Sequence, residues 1–94
     1  MKIRLTRRAS EHLFAAYDYL QAVNVSAARS QIKRIFDGID LLERYPFAGR
    51  NGRIAGTREL VVTRTPFIVV YKVSADTIII LAVLHGSRRW PKSL

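Results

Sequence analysis

Near the end of the chain, His85 closes an apolar run, and after Gly86-Ser87 it is followed by Arg88-Arg89-Trp90-Pro91. An imidazole beside two guanidiniums can move a proton and hold a phosphate at once. Metal-free RNA cleavage needs such a set: a base for the 2′-hydroxyl, an acid for the leaving oxygen, and cations for the phosphorane. Arg58-Glu59 adds a carboxylate as a second proton carrier, with Arg58 and Arg88 placed to clamp phosphates. The same residues also read more simply, His85 as a structural histidine and Arg58-Glu59 as an ion pair. Cysteine is absent, and His12 and His85 are too few and too far apart to suggest zinc, so no metal or cofactor is expected. No serine or cysteine nucleophile arrangement and no phosphate-binding glycine loop is present.

The charge balance points to a large partner. Sixteen Lys and Arg face seven Asp and Glu, a formal net charge of +9, and twelve of the sixteen are arginine, the side chain suited to bidentate phosphate or carboxylate contacts. Residues 1–43 hold seven basic and five acidic groups, residues 44–94 nine basic and two acidic. A polyanionic or acidic partner gripped by the second half is the expectation. The first residues contain no apolar signal core, and the longest apolar stretch, Ile78 to Leu84, is far short of the roughly 20 residues that cross a bilayer. A soluble protein for which a reducing cytoplasm is permitted follows, built as a single domain over 1–94.

The elements that must position these residues are legible from periodicity. Lys2 to Thr6 alternates, with Ile3 and Leu5 on one face, and reads as a short edge strand with Thr6 capping a helix. Ala9, Leu13, Ala16, Tyr17 and Leu20 make one helical stripe to about Val23; Ser26 caps a second helix with the stripe Ala28, Ile32, Ile35, Ile39 and Leu42. The short break between them predicts an antiparallel hairpin. Pro46, Gly49, Gly52 and Gly56 punctuate an arginine-rich loop, after which Arg58–Arg64, Phe67–Val73 and Thr77–Leu84 read as three antiparallel strands. The fold class is α+β: a short strand and a two-helix hairpin on a small antiparallel sheet, in the order β-α-α-β-β-β.

Both faces of the last strands are apolar, whereas two helices cover only one. An apolar groove completed by another chain is therefore expected, through an amphipathic helix or an added strand, with the tail bearing Trp90 as the alternative cover. Alternation sets Arg58 and Arg64 on the side of Leu60 and Val62, opposite Glu59, so that a row of guanidiniums would border the groove.

The succession of blocks adds a resemblance. Ala9-Ser10-Glu11-His12-Leu13, Leu42 to Arg50 with its P-x-x-G-R, Arg58-Glu59-Leu60, Pro66 to Val73, and Val83 to Pro91 ending in H-x-x-R-x-W-P resemble the ParE branch of the RelE/ParE toxin superfamily over nearly the whole chain. The resemblance implies a bacterial type II toxin of the plasmid-stabilisation kind, neutralised by a ParD-like or similar antitoxin, with operator DNA reached only through the antitoxin. It implies DNA gyrase as the target, with ribosome-dependent mRNA cleavage of the RelE type as the alternative. The target would meet Arg58, Arg64, Arg88, Arg89 and Trp90; the antitoxin would meet Leu13, Tyr17, Leu60, Val62, Phe67, Val69 and Tyr71. If the protein is a nuclease, His85, Glu59, Arg58 and Arg88 are its catalytic set. The departures favour gyrase, because Trp90 stands where a tyrosine would act and cannot exchange a proton, leaving only His85 to substitute.

Overall fold

Thr6 is where the chain changes from strand to helix. In the computed structural model, which describes residues 1–94, its hydroxyl accepts from the Ala9 N–H at 3.1 Å and lies 3.2 Å from the Leu81 carbonyl, to which it donates. One side chain thus ends β1 (Lys2–Leu5), starts α1 (Arg7–Val23) and ties both to the last strand. Asn24 then serves two helices. Its N–H donates to the Leu20 carbonyl, closing α1, and its side chain accepts from the Ala27 N–H at 3.0 Å, opening α2 (Val25–Arg44). Asn24 takes the capping role expected of Ser26, since an asparagine caps as well as a serine and stands earlier in the chain.

The sheet holds five strands in the order β1-β5-β4-β3-β2: β2 (Arg50–Asn51), β3 (Arg58–Val61), β4 (Phe67–Ser74) and β5 (Thr77–His85) join β1. Two features depart from the expected antiparallel sheet. β1 runs parallel to β5, with Ile3 opposite Ile78 and Leu5 opposite Ile80; the Thr6–Leu81 bond one step on fixes this direction. β2, too short to show a period, pairs Arg50 with Glu59 and Asn51 with Arg58.

β3 also stops earlier than its alternation predicts. Thr65 bonds back to the Val62 carbonyl through its N–H (3.2 Å) and its hydroxyl (3.0 Å), turning the chain at Thr63-Arg64. Arg64 sits there with φ 64°, in the left-handed region, so it is a turn residue and shares no strand face with Arg58.

The two faces of the sheet are covered unequally. The helical stripes meet Val69, Tyr71, Ile78 and Ile80, enclosing a core in which Ile35, Leu42 and those four are fully buried. Truncating such a residue to alanine costs about 2–5 kcal/mol. On the other face a smaller cluster, Ile68, Val70 and Ala82, is roofed by Leu84, Trp90 and Leu94. The tail is therefore the cover on this side, and the apolar groove expected to await another chain is roofed here by this one. Its anchors are the Trp90 indole N–H on the His85 carbonyl (3.3 Å) and Arg8 on the Ser93 carbonyl (3.2 Å). No helix is long and apolar enough to cross a membrane.

Candidate macromolecule-binding face

The residues of the supposed nuclease set stand apart. β4 lies between His85 on β5 and Glu59 on β3, and their registers differ by three residues, which separates them by roughly 14 Å. Arg88 sits over the Tyr19 ring at 5.6 Å, on the α1 side, while the Arg58 guanidinium donates to the Gly49 carbonyl at 2.8 Å and lies 4.9 Å from the Phe47 ring centroid. The His85 Nδ1 accepts from the Ser87 N–H at 3.2 Å and lies 2.8 Å from its hydroxyl. His12 is accounted for as well: its Nδ1 accepts from the Val83 N–H at 3.2 Å, closing the β5 edge beyond β1. Burial first, then Arg8, hold its pKa below 6.5, with Glu11 opposing.

Glu59 has a different office. It is 2% exposed, and its Oε1 accepts from Nε and Nη2 of Arg50 (3.2 and 3.0 Å) while Oε2 accepts from the Arg53 N–H at 2.7 Å. The loop is pinned again by Tyr71, whose buried hydroxyl donates to the Pro46 carbonyl (2.8 Å) and accepts from the Gly49 N–H (2.9 Å). A Cβ on Gly49 would stand 2.8 Å from the Tyr71 ring and 2.9 Å from the Glu59 carbonyl, so only glycine fits. The P-x-x-G-R and R-E-L blocks are thus the two halves of one clasp, and both members of Arg58-Glu59 bind the loop rather than each other.

The expected antitoxin contacts require correction. Leu13, Val62, Phe67, Val69 and Tyr71 are 0–8% exposed and form the core beneath the helices; only Tyr17 and Leu60 are partly accessible. The cause is parity: the face shared by Arg58, Leu60 and Val62 is the one the hairpin covers. The expected target set divides too. Arg64, Arg88 and Arg89 are exposed at one end of the sheet, joined through the Gly86 N–H on the Pro66 carbonyl (2.8 Å). Arg58 lies toward the opposite end, and Trp90 is half-buried in the tail. Between α1 and the end of β5 lies a mainly apolar slot of about 290 Å³, floored by Ala15 and Ala16 and rimmed by Arg88 and Arg89. The Gln31 side-chain oxygen, buried without a partner, borders it.

The cations gather where the sequence reading did not put them. The helices carry six basic and five acidic residues; the rest of the chain carries ten and two. On the tail-covered side of the sheet, register aligns Arg4 with Ile79 and Ile79 with Lys72, and Arg50 with Glu59. Lys2, Arg4, Arg50 and Lys72 all present exposed side chains here, joined by Arg53, which lies 3.7 Å over the Trp90 ring. The alternation in β1 could have revealed Lys2 and Arg4. Nothing in sequence spacing announced Arg50, whose strand has two residues.

The chain is thus a small α+β unit with a clasped cationic loop. The chain belongs to the ParE toxin family: the model described as "ParE toxin of type II toxin-antitoxin system, parDE" matches residues 3–90. The chain is also similar to the Sinorhizobium fredii protein named "Putative toxin Y4kP", at 40% identity over 93 residues, 99% of this chain and 96% of that one. A chain of the chromosomal ParDE TA system from P. aeruginosa has the same fold, with a TM-score of 0.78 and 29% identity over 88% of this chain and 92% of its own.

Proposed function

We propose that the protein is a toxin that inhibits DNA gyrase by binding it and that a cognate antitoxin neutralises it. The observation that carries the choice of binding over cleavage is the dispersal of His85, Glu59, Arg58 and Arg88. General acid–base work needs both groups within hydrogen-bond reach of one substrate, or within one water of it. Gyrase cuts and rejoins DNA itself, so an inhibitor of it needs only contact. The exposed arginines Arg64, Arg88 and Arg89 are the contact proposed for the target. The slot over Ala15 and Ala16 is the seat proposed for the antitoxin: an apolar side chain fills it, carboxylates reach Arg88 and Arg89, and a donor meets the Gln31 oxygen.

The test is a supercoiling assay with purified protein. Inhibition that the antitoxin relieves supports the proposal; unimpaired supercoiling at large excess of toxin rejects it. For the seat, Ala15→Trp fills the slot from an exposed position and is expected to weaken antitoxin binding at least tenfold. Cuts in messenger RNA on translating ribosomes that vanish with His85→Ala would instead establish the nuclease.

A further inference from the structure

We infer that the sheet face turned away from the helices is a platform for single-stranded nucleic acid. Arg4 and Lys72 stand in one cross-strand row, roughly 10 Å apart, and Arg50 lies roughly 12 Å beyond Lys72. Lys2 extends the row along β1, and Arg53 adds a further guanidinium beside Arg50. The one carboxylate inside the face, Glu59, is buried and already matched by Arg50 and Arg53; Asp76 is at the margin, in the β4–β5 turn. The Arg50 and Arg53 side chains remain 56% and 52% exposed despite that pairing, so the buried carboxylate holds them in place without hiding them. A polyanion is the complement of such a face.

Arg53 narrows the polyanion to one with unpaired bases. Its guanidinium rests 3.7 Å over the Trp90 ring while the side chain stays half exposed, so a base has room to stack against it. Single strands are bound in this way, by cations along the backbone and by aromatic or guanidinium planes under splayed bases, whereas duplex bases are already stacked. Contacts to phosphates and to base faces are common to both nucleic acids, so DNA and RNA should bind alike.

The experiment is fluorescence anisotropy with the full chain and a labelled 15-nucleotide oligo-dT, an RNA of the same length, and a duplex. The single strands are expected to bind with equal affinity, more tightly than the duplex, and with a log–log salt slope of about −3 for four to five neutralised phosphates. Arg4→Gln with Lys72→Gln should weaken binding at least tenfold, while Arg29→Gln with Lys33→Gln, an equal loss of charge on α2, should change it by less than twofold. Arg53→Lys, which keeps the charge and removes the plane, should cost fivefold or more. Equal losses from the two double variants, an unaffected Arg53→Lys protein, or a duplex bound as tightly as the single strand would each overturn the inference. No gyrase enters the assay, so its outcome is independent of the target proposed above.

Discussion

The two faces of the sheet are made from the same strands, yet they are built for different ends. Beneath the helices, thirteen buried residues interlock, among them Ile35, Tyr71 and Ile80 with no exposed surface. On the reverse, three buried residues are roofed by a tail held through Trp90, Leu94 and a few hydrogen bonds. Charge follows the same division: basic and acidic groups nearly balance on the helices, while the remainder of the chain is almost wholly cationic. Stability is thereby concentrated on one side, and the other is left for contact, where a strong core would gain nothing.

The sharpest way to break this contrast is to cut equally on both sides. Ile80→Ala should lower the unfolding free energy by about 2–5 kcal/mol, whereas Trp90→Ala, on a half-buried residue, should lower it by about 1–2 kcal/mol. Chemical denaturation measures both, and equal losses would abolish the distinction. Next in size is Tyr71→Phe, which orphans the Pro46 carbonyl and the Gly49 N–H; about 1–3 kcal/mol should be lost, with faster amide exchange in residues 46–57. A loop that exchanges no faster would show that the clasp is not anchored from the core.

Acidification probes the seam between α1 and β5. Because the folded pKa of His12 is lowered, the unfolded chain binds more protons, so stability is greatest above pH 6.5 and falls as pH drops through 6.5 toward the lowered value. The melting temperature should decline from pH 7.5 to 5, and His12→Asn, which keeps an acceptor for the Val83 N–H, should flatten that slope. The smallest effect belongs to Arg64→Gly. Relief of the left-handed φ of 64° should add about 0.5 kcal/mol after the greater chain entropy of glycine is subtracted. A loss of stability there would mean that the Arg64 side chain contributes more than its charge.

Much of this was legible in the residues. Both helical stripes are where periodicity put them, because a period of 3.6 over four or five turns is a signal no short segment imitates. The double apolar character of β4 and β5 announces that a second face needs cover, but the cover is this chain's own tail and not the partner chain expected first. What failed was parity. Alternation from Arg58 to Arg64 presumed a strand through residue 64, but the threonine turn ends it at Val61. Alternation also does not say which face the helices choose, so core residues such as Val69 and Tyr71 read as partner contacts. The clasp was invisible for another reason: Glu59 meets Arg50 and Arg53 only after β2 has formed, and two residues carry no period.

The parallel pairing of β1 with β5 also sets a clock. Lys2 meets Thr77, and Thr6 meets Leu81 at a separation of 75 residues, so β1 has no strand neighbour until a segment some 75 residues further along the chain has been made. Contacts so distant in sequence are slow to form and cannot form on a partial chain. A nascent polypeptide short of residue 77 can assemble neither the seam with β5 nor the roof over the reverse face, so translation itself delays the moment at which the molecule acquires its finished surface.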